Sequence, residues 1–324
     1  MPRIMSVENL SVRFASRSGQ IEVVKDLNFD LWTGQVLGLV GESGSGKTQA
    51  FLAIMGLLAR NGRAEGRALL GDVDLLQLKP RALNRMRGRE IAMVFQDTAA
   101  ALNPTLRIGI QMAEVLALHH AVPLPQAELA AIDMLDMVGI SDPERRARCY
   151  PHELSGGMRQ RVLIGMALMC RPKVLIADEA TASLDATVQA QILTLFKTVC
   201  DRLGTALVLI THDLSLAASI ADRMMVMYAG QAVEIATTDA LFHDPRHPYT
   251  RGLLASTPAA TVTRGKLYTI PGPPPRLLEG ERGCRFNPRC PHRAAHCVEL
   301  APILRPVALD HQVACHFDIG GASQ

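Results

Sequence analysis

The sequence predicts an α/β fold built around a mainly parallel β-sheet that helices cover on both faces. Apolar runs at 35–40, 173–177 and 206–210 have the length of buried strands, and segments with helical spacing separate them. Strands that alternate with helices in this way are typical of parallel sheets. Shorter runs over 4–40, in which apolar and polar residues alternate, add an antiparallel β subdomain before this sheet.

The other elements are predicted from residue spacing and from turn-forming residues. In chain order they are a turn at 17–20, a helix at 49–59, a strand at 89–95, largely helical structure at 105–170 and a helix at 187–203. From residue 245 onward the composition changes, because prolines cluster at 271–275 and four of the seven cysteines follow residue 283.

These changes predict two regions. The main domain is placed at 1–245 and includes an α-helical subdomain at 97–170. The C-terminal region at 246–324 combines a linker with a small Cys-rich appendage.

The overall composition excludes several classes of protein. With 324 residues, 48% of them hydrophobic, the chain can bury a sizeable core. A net charge of +3 and an aromatic content of 4% argue against a nucleic-acid-binding surface. The sequence has neither a long apolar run that could span a bilayer nor an apolar signal peptide. We therefore expect a cytosolic protein, or one held at a membrane by partners.

Residues 41–48 form a phosphate-binding loop of the pattern G-x-x-x-x-G-K-[ST], directly after the first buried strand. The loop consists of Gly41, Glu42, Ser43, Gly44, Ser45, Gly46, Lys47 and Thr48. Glycines let the backbone N–H groups of such a loop surround an anion. Lys47 can reach the terminal phosphates, and the Thr48 hydroxyl can bind Mg²⁺. The fold is thus predicted to be that of a P-loop NTPase with a RecA-like sheet, and the ligand to be ATP.

A pair of acidic residues, Asp178 and Glu179, follows the apolar strand at 173–177. In open α/β sheets, ligands bind at the carboxyl ends of the strands. Asp178 is suited to the coordination shell of Mg²⁺, and Glu179 can polarise the water that attacks the γ-phosphate. Alone, such a pair is more often found at the start of a helix; the phosphate-binding loop upstream favours the catalytic interpretation.

A second candidate anion site lies at Ser155, Gly156 and Gly157, where a helix is predicted to begin. Ser155 can cap this helix, and the glycines leave its first N–H groups accessible. One ATP does not need two phosphate sites from the same subunit. The second site is therefore predicted to serve a nucleotide that a partner subunit holds.

In combination, these motifs resemble those of the ATPases of ATP-binding cassette (ABC) transporters, over residues 4–245. The resemblance rests on Gly41–Thr48, Phe95-Gln96, Leu154–Gln160, Val174–Glu179, Ser183-Leu184-Asp185 and Thr211-His212-Asp213. It implies that two such subunits enclose two ATP molecules, each phosphate loop facing the other subunit's signature helix.

The resemblance also implies roles for single residues. Gln96 would contact Mg²⁺ and the attacking water, together with Thr48 and Asp178 as Mg²⁺ ligands. His212 would contact the γ-phosphate, and catalysis would rest on Glu179, His212, Gln96 and Lys47. The signature residues would be Ser155, Gly156, Gly157 and Gln160, while Ser183, Leu184 and Asp185 would cross the dimer interface. Phe14 is the candidate for stacking on adenine; a position in the core is an equal alternative.

Three further segments resemble those of oligopeptide, dipeptide and nickel import ATPases, specifically the D-type subunit. They lie at 101–104, 247–251 and 270–272. This resemblance implies an ATPase that energises import at the cytoplasmic face of the inner membrane. Its partners would be a second, homologous ATPase subunit, two membrane permeases and an extracytoplasmic solute-binding protein, without nucleic acid. The sequence does not identify the cargo.

Four cysteines near the C-terminus form a candidate metal site. Cys284, Cys290, Cys297 and Cys315 are separated by five, six and seventeen residues. Structural zinc sites usually use closer pairs, and iron–sulfur clusters accept wider spacing, so the spacing alone leaves zinc, iron–sulfur and no metal open. The resemblance to D-type subunits, which includes the segment at 287–291, implies a [4Fe–4S] cluster.

The main alternative is an ABC ATPase that acts on nucleic acid, as in DNA repair. Such proteins usually place a long coiled coil between the phosphate loop and the signature helix. The segment between Thr48 and Ser155 is short and has no heptad repeat. A translation-factor-like ATPase would normally carry two cassettes, whereas this chain has one phosphate loop.

Overall fold

The computed structural model of the chain describes residues 1–17, 19–95, 101–181, 184–257, 268–273 and 282–320. The chain divides into two compact units. The first unit comprises Met1–Ile4, Trp32–Val36 and Leu78–Leu209, and the second comprises Met5–Leu31, Leu37–Gln77 and Ile210–Gln324.

The described strands and helices are numbered in chain order. The strands are β1 (Arg3–Ser16), β2 (Gly19–Trp32), β3 (Val36–Val40), β4 (Gly62–Leu70), β5 (Val73–Asp74), β6 (Ile91–Val94), β7 (Val174–Asp178), β8 (Ala206–Thr211), β9 (Arg223–Tyr228), β10 (Gln231–Thr237), β11 (Arg305–Ala308) and β12 (His311–Val313). The helices are α1 (Lys47–Ile54), α2 (Pro80–Met86), α3 (Ile108–His120), α4 (Leu124–Met137), α5 (Pro143–Ala147), α6 (Gly156–Leu168), α7 (Ala186–Leu203), α8 (Leu214–Ala218), α9 (Thr238–His243), α10 (Pro248–Ala255) and α11 (His296–Glu299). Short 3-10 helices lie at Leu75–Gln77, Pro151–Glu153 and Asn287–Arg289.

In the second unit, two groups of strands surround the predicted phosphate loop. One is a four-stranded sheet of order β2-β1-β4-β5, in which β1 and β4 are antiparallel. The other has the order β11-β12-β10-β9-β3. Strand β3 runs parallel to β9, with Val40 opposite Val226, and all five of its residues are buried. The apolar run before the loop is thus a buried strand, as the sequence predicts.

In the first unit, β8, β7 and β6 lie side by side in that order. Strands β6 and β7 are parallel, with Ile91 opposite Val174 and Val94 opposite Ala177. Helices α3, α4 and α6 pack closely where Gly165 lies, because a Cβ atom there would be 3.1 Å from Met112 and 3.3 Å from Met134. The parallel strands and this helical layer agree with the α/β class inferred from the sequence.

Several boundaries differ from the predicted ones. The helix expected at 49–59 ends at Ile54, because Gly56 has a φ of 63° and leaves the helical region. The predicted turn at 17–20 includes Ser18, which lies outside the described residues. Strands β11 and β12 were not predicted. Strand β12 pairs with β10, with Glu234 opposite Val313, so the C-terminal region extends a sheet of the second unit. A domain boundary near residue 245 stays a prediction.

Within the described ranges, no helix combines the length and hydrophobicity needed to cross a bilayer.

Candidate nucleotide-binding site

The predicted phosphate loop connects β3 to α1 and has a backbone that depends on its glycines. Gly41, Gly44 and Gly46 have φ values of 154°, 79° and 93°. A Cβ atom on Gly41 would lie 2.2 Å from the Met227 carbonyl oxygen, and one on Gly46 would lie 2.5 Å from the Val23 carbonyl oxygen. Ser43 and Gly44 are exposed at the tip of the loop. The loop therefore needs glycine at its ends for close backbone contact and presents its tip to solvent.

Lys47 is the first residue of α1, and its side chain folds back over the loop. The Lys47 ammonium donates hydrogen bonds to the carbonyl oxygens of Gly41 at 2.7 Å and Glu42 at 3.0 Å, and to the Ser45 hydroxyl at 3.3 Å. Thr48 follows in the first turn and is half-buried. The amino group and the start of the helix thus share one anion-binding environment.

His212 follows β8 in the second unit and is exposed. The next residue, Asp213, caps α8 by accepting hydrogen bonds from the N–H groups of Ser215 at 2.8 Å and Leu216 at 3.0 Å. The Asp213 N–H in turn donates to the Thr211 hydroxyl at 3.1 Å. The backbone on both sides of His212 is therefore fixed, while its imidazole remains accessible.

The predicted catalytic carboxylates lie in the first unit. Asp178 is the last residue of β7 and is 5% exposed, and Glu179 is half-buried. Glu179 has a φ of 45°, an unfavourable conformation for a residue with a side chain. Strain of this kind is often found at functional sites. Gln96, the third predicted residue of this group, lies outside the described residues.

The signature segment begins α6. The Ser155 hydroxyl caps this helix by accepting a hydrogen bond from the Met158 N–H at 3.3 Å, and both Ser155 and Gly156 are exposed. A Cβ atom on Gly156 would have no neighbour within 4 Å. Gln160 is 2% exposed, and its Nε2 has no hydrogen-bond partner among the described residues. The helix start is accessible to an anion from outside the subunit.

The segment predicted to cross the dimer interface precedes α7. Asp185 is exposed and caps this helix, accepting hydrogen bonds from the N–H groups of Thr187 at 3.1 Å and Val188 at 3.0 Å. Leu184 is half-buried, and Ser183 lies outside the described residues. The capping role of Asp185 was not predicted from the sequence.

Phe14, the candidate for stacking on adenine, lies near the end of β1 and is half-buried. It pairs with Gly62 of β4, where a Cβ atom would lie 2.7 Å from the Phe14 ring. The ring therefore occupies the space that the glycine leaves.

The four C-terminal cysteines line one small cavity of the second unit, together with aromatic and histidine side chains. The Cys284 N–H also donates to the Cys297 carbonyl oxygen at 2.8 Å. Burial raises the pKa of Cys284 to about 11 and also raises the pKa values of Cys290 and Cys315. Burial thus favours neutral thiols, and binding of a metal would have to displace their protons.

No three His, Cys, Asp or Glu side chains in the described part of the chain are arranged to hold a metal ion. The four cysteines line one cavity, yet they are not placed to hold one ion. Both observations agree with a ligand larger than a single ion, because a cluster separates its ligands more widely than one ion does. The four thiols supply the type of donor that iron–sulfur clusters use.

Comparison with protein families gives two matches. The family described as ABC transporter matches residues 24–182, and the family described as oligopeptide/dipeptide transporter, C-terminal region, matches residues 233–297. The chain is 47% identical to the oligopeptide transport ATP-binding protein OppD of Salmonella typhimurium over 93% of this chain and 90% of that protein. It is 44% identical to the dipeptide transport ATP-binding protein DppD of Bacillus subtilis over 97% and 95% of the two chains.

Solved structures give a consistent result. The dimeric post-hydrolysis structure of the ATP-binding cassette MJ0796 bound to ADP and Pi has a TM-score of 0.64 and 25% identity, over 72% of this chain and 98% of that chain. The cbiO1 structure from Clostridium perfringens, part of the ABC transporter complex cbiONQ, has a TM-score of 0.63 and 26% identity, over 75% and 91%.

Proposed function

Since the chain belongs to the family of ATP-binding subunits of oligopeptide and dipeptide ABC transporters, we propose that it hydrolyses ATP to energise import of oligopeptides or dipeptides. The identity of 47% over nearly the full length of a peptide-transport protein carries this proposal. Nickel or related small solutes are alternative cargoes, because the ATPase itself does not contact the cargo. The relatives give no support to an action on nucleic acid.

The proposed nucleotide site draws on the motif residues identified above. The N–H groups of Gly41–Thr48 and the Lys47 ammonium would bind the β- and γ-phosphates, and Phe14 would stack on adenine. Thr48, Gln96 and Asp178 would hold Mg²⁺, which offsets the charge of the phosphates. Glu179 would polarise the attacking water and accept its proton, and His212 would contact the γ-phosphate and orient this water. The strained φ of Glu179 and the accessible imidazole of His212 support these roles.

The assembly is proposed to be a dimer of ATPases. The exposed, capped start of α6 at Ser155 and Gly156 supports binding of a partner's nucleotide, with Gly157 and Gln160 completing the segment. Ser183, Leu184 and Asp185 would lie at the interface. The second ATPase would be a homologous subunit, and the pair would dock on two permeases at the cytoplasmic face of the inner membrane. An extracytoplasmic solute-binding protein would deliver the cargo.

A substitution of Glu179 tests the catalytic proposal. Glu179→Gln removes the base but keeps the size of the side chain, so ATP should still bind while turnover falls at least about a hundredfold. The measurement is ATPase activity of the assembled complex alongside ATP affinity. Glu128→Gln, the same change at an exposed position of α4, is the matched control and should retain activity. Wild-type turnover in Glu179→Gln would contradict the role of Glu179.

The cysteine cavity is proposed to hold a [4Fe–4S] cluster through Cys284, Cys290, Cys297 and Cys315. Such a cluster would cross-link segments of the C-terminal region that the sequence separates widely. Protein purified without oxygen should contain iron and sulfide and absorb visible light. Cys290→Ser should lower the iron content, whereas Cys149→Ser, outside the cavity, should not. Colourless protein with stoichiometric zinc would contradict the cluster and favour zinc.

A further inference from the structure

Glu42, the second residue of the phosphate loop, is held by the C-terminal region at both its main chain and its side chain. The Tyr249 hydroxyl accepts a hydrogen bond from the Glu42 N–H at 3.0 Å. The Arg289 guanidinium binds the Glu42 carboxylate with both terminal nitrogens, at 2.9 and 3.0 Å. These contacts join residues 207 and 247 positions apart. Two side chains from outside the ATP-binding motifs therefore converge on one loop residue.

Arg289 is itself held rigidly. Its Nε donates to the Pro271 carbonyl oxygen at 3.0 Å, and its Nη2 donates to the Ile270 carbonyl oxygen at 3.4 Å. The guanidinium lies 5.7 Å from the centre of the Tyr228 ring, and Arg289 is only 9% exposed. Its planar fork is thus oriented towards Glu42, and a two-point contact of this kind is strong and directional.

Tyr249 is equally fixed. It is fully buried, and its ring centre lies 4.6 Å from that of Tyr228. Its N–H donates to His247 Nδ1 at 3.0 Å, and the His247 N–H donates to the buried Glu234 carboxylate at 3.0 Å. The start of α10 is therefore anchored in the core, and the Tyr249 hydroxyl is presented to the loop at a set position.

Glu42 is also hydrogen-bonded to other residues of the phosphate loop. Its carbonyl oxygen accepts hydrogen bonds from the Lys47 ammonium at 3.0 Å and from the Ser45 N–H at 3.2 Å. Tyr249 and Arg289 thus hold Glu42. The Glu42 carbonyl oxygen in turn binds the Lys47 ammonium and the Ser45 N–H inside the loop. The segments around 249 and 289, which the sequence offers only as marks of the subfamily, meet at this residue, and the segment around 271 holds Arg289.

We propose that Tyr249 and Arg289 are positioning residues of the ATP site, which hold the phosphate loop in its binding conformation through Glu42. The proposal rests on the proposed role of Gly41–Thr48 in binding ATP. A loop that is already ordered loses less conformational entropy when a ligand binds. Arg289 also neutralises a carboxylate that would otherwise lie beside the triphosphate. The ordered loop and the neutralised carboxylate favour bound ATP equally in the ground state and in the transition state. They therefore raise the affinity for ATP and do not change the rate of the chemical step.

The test uses the full-length chain and ATP carrying a fluorescent N-methylanthraniloyl group, with Mg²⁺. Arg289→Gln should raise the Kd for this nucleotide about tenfold, and Tyr249→Phe, which removes only the hydroxyl, should raise it about threefold. In the assembled transporter, KM for ATP should rise in parallel, with kcat within about twofold of wild type. Arg246→Gln is the matched control, because Arg246 lies in the same region and pairs with Asp244 and Asp318.

A double-mutant cycle separates positioning from general destabilisation. Glu42→Gln with Arg289→Gln should bind ATP no more weakly than Arg289→Gln alone, because the uncompensated carboxylate has been removed. Wild-type affinity in both Arg289→Gln and Tyr249→Phe, additive losses in the cycle, or an equal loss in Arg246→Gln would each overturn the proposal. Lys47→Ala tests the premise separately: if it binds ATP like wild type, the role of the phosphate loop itself is wrong.

Discussion

The Arg285 guanidinium donates a hydrogen bond to the Glu22 carboxylate at 2.9 Å, although 263 positions separate the two residues. Both side chains are buried, with exposed fractions of 4% and 6%. Arg285 also donates to the carbonyl oxygen of Ala229. Glu22 accepts a second charged contact from Arg13 at 3.1 Å. The segment that begins with Cys284 is therefore joined to β2 by a buried ionic network.

Loss of Arg285 should destabilise the protein. Arg285→Met leaves the buried Glu22 carboxylate with fewer partners, and removal of one member of a buried ion pair costs about 3 kcal/mol. Thermal or denaturant unfolding measures this change. The matched control is Arg67→Met, because the Arg67 side chain is 58% exposed and its contacts with Glu8 at 3.5 Å and Asp74 at 3.8 Å are long. An exposed pair should contribute about 1 kcal/mol at most. Equal losses in the two variants would contradict the importance of the buried network.

Substitution of Gly156 should lower activity without loss of stability, and substitution of Gly204 should lower stability without loss of activity. A methyl group on Gly156 meets no atom within 4 Å, so Gly156→Ala should fold normally but lower ATPase activity of the dimer, where a partner's nucleotide is proposed to approach. Gly204 ends α7 with a φ of 68°, so Gly204→Ala should cost about 1 kcal/mol of stability and leave the kinetic constants unchanged. Unfolding curves and steady-state ATPase assays check both. Normal dimer activity in Gly156→Ala would contradict the proposed approach.

Asp185 should have two separable roles. Asp185→Ala removes the cap of α7 and should cost about 1 kcal/mol, whereas Asp185→Asn keeps a capping oxygen and should unfold like wild type. If the carboxylate also acts at the dimer interface, ATPase activity should fall in both variants. Thermal unfolding followed by circular dichroism compares the stability of the two variants, and assays of the assembled complex compare their ATPase activity. Unchanged stability in Asp185→Ala would refute the capping role.

Cys200 should make stability depend on alkaline pH. Burial, assisted by the nearby Asp201, raises the pKa of Cys200 to about 12 from the usual 9.0. Above pH 9 the unfolded state loses this proton while the folded state keeps it, so the free energy of unfolding falls as pH rises towards 12. Between pH 8 and 10.5, this thiol should account for a loss of about 2 kcal/mol.

Denaturant unfolding of wild type and Cys200→Ala at both pH values isolates this effect, because any cavity left by the substitution costs the same at either pH. The difference in stability between the two proteins should shrink or reverse at pH 10.5. A constant difference would show that the Cys200 thiol does not titrate differently in the folded state.

The parts of the site that local sequence determines were predictable. The glycines at 41, 44 and 46 follow an apolar strand, and the structure gives them the positive φ values that a phosphate loop requires. Asp178 likewise ends a buried strand, as its sequence context indicates. In both cases, a few adjacent residues define the backbone and the chemistry together.

Contacts between distant segments were not predictable in this way. The sequence contains Tyr249 and Arg289 in recognisable segments, but nothing local indicates that both reach Glu42. Strands β11 and β12 are short, and their pairing with β10 depends on a register that only the folded chain defines. The end of α1 at Ile54 was missed for a simpler reason, because Gly56 interrupts a stretch with otherwise good helical spacing.

The pairing of β12 with β10 has a practical consequence for anyone who shortens this chain. Cutting after β10 would open the edge of this strand at Glu234 and Ile235, which now pair with β12, in a strand whose residues from Ala232 to Ala236 are buried. An uncovered, apolar edge strand recruits other chains and promotes aggregation. It would also strip Glu234 of its partner His311, which lies 2.8 Å away. A minimal soluble cassette should therefore retain the residues up to Val313.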